Sequence, residues 1–207
     1  MLIKLCSLSI IIPIIIGIIY WGNLNKLQKY FFWFIGFSVI IEGLSFYTKI
    51  KDIDNHGLFK FFLICDLLFF TWFFNKSSPF KNWLKILTGL LITYIIIWEI
   101  TIRYFKPIAQ VESLFYILIF LFFVVQSRQV ILGLFNNFEI DLFKNYLFWI
   151  ASARLIYYLF ILFIYVYPIL LSDSFNIKLF AVAFTIINTT ANIICNVMYG
   201  MSFYERK

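Results

Sequence analysis

Long apolar runs separated by short polar connections dominate the sequence and limit the folds open to it. An α-helix needs about 20 consecutive apolar residues to cross the hydrocarbon core of a bilayer. The 207-residue chain is 63% hydrophobic and only 13% charged, which leaves no stretch long enough for a separate soluble domain. The sequence therefore predicts an all-α integral membrane protein, with residues 1–207 forming a single polytopic transmembrane domain.

Seven apolar runs qualify as predicted spans, numbered here in chain order. Short connections join most of them, so we expect a bundle of seven transmembrane helices in which consecutive helices are antiparallel neighbours. The first run has no Ala-x-Ala-like cleavage site after it and is expected to be a true span. The predicted spans are residues 5–22, 30–47, 58–74, 83–103, 109–126, 146–170 and 177–200.

Tryptophan and basic residues predict the orientation of the bundle. Indole rings prefer the headgroup level, and all six tryptophans lie within a few residues of a predicted span end. Five of these tryptophans share one face with nine Lys and Arg side chains, whereas the opposite face carries seven. Because basic loops favour the cytoplasmic side, we expect a multi-pass protein of the inner (cytoplasmic) membrane, with its N-terminus outside and its C-terminus in the cytoplasm.

Four polar residues interrupt the apolar runs near their middle: Glu42, Asp66, Arg154 and Asn188. A charge at the bilayer centre costs at least about 2.5–3.5 kcal/mol unless it is paired or hydrated. A rise of about 1.5 Å per residue brings all four near mid-membrane, so they predict one buried polar centre. Arg154 should bind Glu42 or Asp66 bidentately, and the other carboxylate should be protonated, hydrated or matched by a cation from solution.

A polar stripe on the seventh predicted span is a second candidate site. Its asparagines recur every fourth residue, which places them on one helical face. Such asparagines either hydrogen-bond across helices, for about 0.6 kcal/mol each on average, or line a wet pathway, and both interpretations stay open. The candidate helix-contact or pathway residues are Thr185, Asn192, Asn196 and Tyr199, together with Tyr158, one turn after Arg154 on the sixth span.

A third group of residues lies at the outer boundary of the membrane. Glu99 and Arg103 are four residues apart on the fourth predicted span, and Glu112 follows after a short connection. This spacing is typical of an interfacial ion-pair cluster, and a vestibule for a polar ligand is the alternative.

The longest connection, residues 127–145, has apolar residues near helical spacing beside acidic ones. This pattern predicts a short amphipathic helix at the interface, either as a plain connector or as a docking surface for a cytoplasmic protein.

Residues for catalysis, metal binding and nucleic-acid binding are scarce. The single histidine, His56, lies in a predicted connection, and Cys6, Cys65 and Cys195 are far apart, so we expect no catalytic residues, metal site, disulfide or cofactor. The net charge of +7 is spread over many span ends, so no direct nucleic-acid binding is expected. The expected partners are the lipid bilayer, a cytoplasmic protein at 127–145 and further copies of the chain.

A pattern in the C-terminal third consists of Phe148, Trp149, Ile150, Ala153, Leu155, Ile156, Tyr157, Tyr158, Asn188, Asn192, Ile193, Ile194, Asn196 and Tyr199. This pattern resembles an uncharacterised family of small bacterial membrane proteins. Members have six or seven spans, and their genes lie beside sensor kinases or regulators, which implies a sensory or accessory role. Arg154 departs from the pattern. In size, composition and span number the chain is also similar to membrane accessory proteins of type VI CRISPR loci.

These observations lead to two functional expectations. The first is a non-enzymatic membrane sensor or regulatory accessory protein, whose buried polar centre is bistable and is read out through cytoplasmic connections. The alternative is an oligomeric pore-forming or transport protein, for instance a membrane accessory of a defence system, in which the same polar residues line a pathway.

Overall fold

A computed structural model of the chain describes residues 9–53, 55–77, 88–94, 96, 109–136, 141–170 and 177–204, with the backbone alone at 56, 109–115, 167–170 and 177–181. Within these ranges the secondary structure consists of helices, turns and short connections. Residues 88–94 are helical as well. The helices are α1 (Ile11–Ile19), α2 (Lys26–Ile50), α3 (His56–Ser77), α4 (Ala109–Phe135), α5 (Tyr146–Leu170) and α6 (Ile177–Met201), with a 3₁₀-helix at Leu142–Lys144 before α5.

Five helices of the described chain are long and apolar enough to cross a membrane, judged by length and composition. They correspond to five of the seven predicted spans. The first predicted span overlaps the nine-residue α1, and most of the fourth, residues 83–103, lies outside the described residues. The count of seven spans therefore stays a prediction. The five membrane-spanning stretches are Lys26–Ile50, Gly57–Ser77, Tyr116–Phe135, Tyr146–Val166 and Val182–Met201.

The prediction of a separate interfacial helix within residues 127–145 is wrong for the first half of that segment. Helix α4 continues without a break to Phe135, and Ser127, Val130 and Leu134 are buried. Apolar residues at helical spacing suit a helix that packs along α5 as well as one that lies on a membrane surface, and periodicity alone does not separate the two. The described remainder, 141–145, is the 3₁₀-helix and its caps.

Hydrogen bonds near the helix termini define the two ends of the bundle. At one end, called the Trp21 end, the Gln28 side chain at the start of α2 donates a 2.7 Å hydrogen bond to the carbonyl of Ser202, just after α6. At the other, the Asn55 end, Asn55 before α3 donates a 3.0 Å hydrogen bond to Ser45 of α2. These bonds fix the register of α2 against both neighbours.

A cluster of four phenylalanines, called the aromatic plug, fills the bundle towards the Trp21 end. It consists of Phe31, Phe70, Phe73 and Phe203, each at most 1% exposed. The Phe31 ring centroid lies 6.1, 5.8 and 5.7 Å from those of Phe70, Phe73 and Phe203. Rings at these separations exclude water, because close-packed side chains leave no void of its size.

Candidate functional site

An ion pair connects the middle of α3 to α5. Arg154 donates to the two carboxylate oxygens of Asp66, Nη1 to Oδ1 at 2.9 Å and Nη2 to Oδ2 at 3.0 Å. Both residues are buried, with exposed fractions of 1% for Arg154 and 3% for Asp66. Two parallel, charge-assisted bonds are the geometry that guanidinium and carboxylate prefer. The sequence predicted Glu42 or Asp66 as the partner of Arg154, and the structure shows that the partner is Asp66.

Two aromatic side chains complete this group, called the ionic centre: Asp66, Arg154, Tyr158 and Phe70. The Tyr158 hydroxyl donates a 2.7 Å hydrogen bond to Asp66 Oδ2. The Arg154 Cζ lies 3.4 Å from the centroid of the Phe70 ring, which faces the guanidinium charge. Tyr158 follows Arg154 by four residues on α5, and Phe70 follows Asp66 by four residues on α3. Each ring therefore shares a helical face with one member of the pair and contacts the other member.

The ionic centre is suited to holding helices in one arrangement rather than to acid–base catalysis. Asp66 accepts three hydrogen bonds, from two donors on Arg154 and one on Tyr158, so its oxygens are occupied. Arg154 Nε is buried and has no hydrogen-bond partner among the described residues. Removing one member of such a buried pair strands the other charge, at about 3–5 kcal/mol. The centre therefore favours one packing of α3 against α5 strongly.

A cavity of about 600 Å³ lies between α2, α3, α5 and α6, and the ionic centre forms part of its wall. Its lining begins at Phe31 and Tyr199 and reaches Ser45 and Asn55 at the Asn55 end. This volume is in the range of small-molecule binding sites in proteins. The remaining lining residues are Ile10, Phe34, Ile35, Ser38, Ile41, Glu42, Leu58, Phe59, Phe62, Asp66, Phe70, Tyr116, Arg154, Tyr157, Tyr158, Tyr165, Asn188, Asn192, Cys195 and Asn196.

Glu42 and Asn188, the other two residues of the predicted polar centre, are half-buried on the cavity lining. Neither donates to Asp66, whose hydrogen bonds come from Arg154 and Tyr158. The four predicted residues thus share one cavity, but only Asp66 and Arg154 form the tight pair.

The asparagine stripe of α6 also faces this cavity, and its members differ in what they bond. Asn192 donates to the Asn188 carbonyl oxygen at 2.9 Å within the helix, whereas Asn196 donates to Ser9 Oγ at 2.7 Å and ties α6 to the residues before α1. Tyr199 lies on the lining, and Thr185 is half-buried and outside it. The stripe therefore combines a helix contact with cavity lining.

The predicted outer-boundary cluster lies outside the described part of the chain. Glu99 and Arg103 are not among the described residues, and the backbone alone is described at Glu112. The ion-pair cluster stays a prediction.

A second buried polar group was not anticipated from the sequence. Gln126 on α4, 1% exposed, donates a 2.9 Å hydrogen bond to Thr71 Oγ1, which lies 3.5 Å from Thr88 Oγ1. Gln126 is the last residue of the fifth predicted span, 109–126, and a polar side chain at a span end is expected to reach water. Because α4 continues past it, the side chain is buried instead and needs partners within the bundle.

The four-residue spacing that brings Phe70 and Tyr158 to the ionic centre was available in the sequence.

Comparison of the chain with protein-family models, with curated proteins and with solved structures gives no match. The function must therefore be inferred from the ionic centre and the cavity.

Proposed function

We propose that the protein is a non-enzymatic multi-pass membrane sensor, in which an occupant of the cavity acts on the ionic centre and changes the packing of α3 against α5. One observation carries this proposal. The Asp66–Arg154 pair with Tyr158 joins two helices and at the same time forms wall of a cavity large enough for a small molecule.

A ligand shifts a conformational equilibrium only by its difference in affinity for the two states. An occupant beside the ionic centre can supply that difference, because it changes the field and the hydrogen bonding around a pair whose partners depend on each other. Small changes at the wall then favour a different helix packing.

Phe70 offers a route from the cavity to the Trp21 end. It stacks on the Arg154 guanidinium and also belongs to the aromatic plug, where its ring lies 6.1 Å from that of Phe31. A shift of Arg154 therefore changes the packing of the plug. The Trp21 end is the predicted cytoplasmic end, which would place the output near the connection before α5. The resemblance to sensor-associated membrane proteins supports a sensory role.

A pore or transporter is the second candidate, because Asn188 and Asn192 line the cavity as a pathway would require. The aromatic plug weighs against a continuous path through one copy of the chain, since its four rings are closely packed and at most 1% exposed. A pathway along the shared axis of several copies would be compatible with this packing.

A distance measurement tests whether the ionic centre controls helix packing. Lys76, near the end of α3, and Lys144, before α5, are both exposed, so each can be replaced by a non-natural residue that carries a bioorthogonal spin label. The change is Tyr158→Phe, which removes one hydrogen bond to a charged group, worth about 1.5–3 kcal/mol, and keeps the ring. We expect it to shift or broaden the 76–144 distance distribution measured by pulsed electron resonance.

Tyr47→Phe is the matched control, because Tyr47 is 56% exposed on α2 and lies outside the ionic centre. It should leave the distribution as in the wild type. The same narrow distribution in wild type, Tyr158→Phe and Tyr47→Phe would contradict the proposal.

A further inference from the structure

We propose that the cavity binds an organic cation, an ammonium group carried on an apolar body. This inference rests on the proposed function, since it names the class of ligand for the same cavity. It is carried by three properties of the described lining: its charge, its aromatic faces and its oxygen acceptors.

The charge of the lining favours a cation over an anion. Its charged side chains among the described residues are Glu42, Asp66 and Arg154, two carboxylates and one guanidinium. Arg154 is 1% exposed, held by Asp66 and covered by Phe70, so its charge is neutralised where it lies. An anion would find no other cationic side chain among the described lining residues.

Aromatic side chains form much of the wall and provide faces for a cation. Phe34, Phe59, Phe62, Tyr157 and Tyr165 are lining residues in addition to those of the ionic centre and the plug. The face of an aromatic ring is electronegative and attracts ammonium groups, most strongly where water is excluded. The same rings accommodate the apolar body of the ligand.

Glu42 lies beside this aromatic wall. Phe37 of α2 stacks on Phe62 of α3 with centroids 6.4 Å apart, and Asn55 bonds to Ser45. On α2, Glu42 lies between Phe37 and Ser45, the residues that make these two contacts. It is therefore level with the segment between Asn55 and Phe62. Glu42 also interacts with groups of the protein, so the proposal rests on its position beside the aromatic rings and not on a vacant carboxylate.

Asn192 adds a neutral oxygen acceptor. Its Nδ2 donates a hydrogen bond to the backbone carbonyl oxygen of Asn188. The amide oxygen of Asn192 could not form this bond, because two acceptors do not pair, so the bond fixes the orientation of the Asn192 amide. This orientation leaves Oδ1 able to accept a hydrogen bond, and Asn192 is one of the lining residues. Ammonium N–H groups, or the polarised methyl groups of a quaternary ammonium, are complementary to such an oxygen.

The dimensions of the cavity indicate an elongated ligand. Lining residues on α2 extend from Phe31 to Ser45, which corresponds to about 20 Å along a helix that rises 1.5 Å per residue. Ser38, Glu42 and Ser45 lie towards the Asn55 end, and Phe31 and Phe34 towards the plug. A cation would therefore place its charge near Glu42 and its apolar body against the phenylalanines.

The test uses three probes of nearly the same shape: benzyltrimethylammonium, its neutral carbon isostere neopentylbenzene, and the anion phenylmethanesulfonate. Each is titrated calorimetrically into the full chain in phosphatidylcholine nanodiscs, with protein-free nanodiscs subtracted. We expect saturable binding of the cation, at least about tenfold tighter than that of either other probe, because only the cation gains from the rings and from Glu42.

Variants with matched controls locate the binding. Glu42→Gln, Asn192→Leu and Phe62→Leu should each weaken cation binding by about three- to tenfold. Phe61→Leu and Thr190→Val replace exposed neighbours on the same helices and should leave it unchanged. Thermal unfolding of each variant separates weakened binding from loss of fold.

Each outcome bears on the proposal. Binding of the anion or the neutral isostere as tight as that of the cation would overturn the inference, as would a lack of saturable binding by any probe. Cation binding that is insensitive to all three lining variants would overturn it too. Saturable cation binding that leaves the 76–144 distance unchanged would instead contradict the proposed sensor and leave the inference intact.

Discussion

Arg154 illustrates what an apolar bundle requires of a buried guanidinium. Two kinds of contact surround it: two hydrogen bonds to Asp66, and the aromatic rings of Phe70 at 3.4 Å and Phe123 at 4.8 Å. Arg is less strongly hydrated than Lys and its planar group both stacks and binds bidentately, so Lys could not reproduce this set of contacts. The surroundings on α3 and α4 therefore specify arginine at this position of α5.

A double-mutant cycle measures the coupling within this pair. Asp66→Leu or Arg154→Leu alone should destabilise the protein by about 3–5 kcal/mol, because each strands a buried charge, whereas the double variant should lose less than the sum. The measurement is the free energy of unfolding in mixed detergent micelles. Glu42→Leu with Arg154→Leu is the comparison cycle and should show weaker coupling. Additivity in the Asp66 cycle would exclude a stabilising pair.

At the scale of the elements, the helix limits agree with the sequence where apolar runs end at polar connections. Helix α5, Tyr146–Leu170, has the limits predicted for the sixth span, and α6 exceeds the predicted seventh span by one residue. The end of α4 differs, because a helix that packs on a neighbour and one that lies on the interface have the same apolar periodicity.

The sequence was sufficient to predict which residues form the candidate site, but not which carboxylate pairs with Arg154. Depth along a span follows from residue number, so Asp66, Arg154 and the asparagines could be expected near one another. Which carboxylate meets Arg154 depends on how the helices are rotated and arranged around the bundle. That arrangement is set by packing among many near-equivalent apolar faces, and the sequence of each span alone does not determine it.

Gly17 allows α1 to pack closely against α2 and the chain after α6. A Cβ at this position would collide with the Phe32 ring and lie 3.3 Å from Phe203 Cδ2. Gly17→Ala should therefore lower the free energy of unfolding by about 1–3 kcal/mol through overpacking. Gly36→Ala is the control, since nothing lies within 4 Å of a Cβ there, and it should be neutral or stabilising by up to about 1 kcal/mol. Equal effects of the two substitutions in the same unfolding assay would contradict the close packing of α1.

At the scale of the whole molecule, orientation and span number are predicted together. Seven spans with the C-terminus inside require residues 83–103 to cross the membrane. A reporter active only in the cytoplasm should be active when fused after Lys207 and when fused at position 80, and inactive when fused at position 105. Activity at both position 80 and position 105 would show that residues 83–103 do not cross. Activity at position 105 alone would reverse the orientation.

The combination of a cavity and an aromatic plug predicts that the protein does not conduct. The plug closes the bundle towards the Trp21 end, so vesicles reconstituted with the purified wild type should be tight to ions and small solutes. Phe31→Ala removes the ring at the centre of the plug. This variant should raise flux only if water then reaches the cavity from the Trp21 end. In a tight protein Asn192→Leu should cost only about 0.6 kcal/mol of stability. Reproducible flux through the wild type that Asn192→Leu abolishes would mean that the stripe lines a pathway, and the pore would then replace the sensor as the better explanation of the cavity.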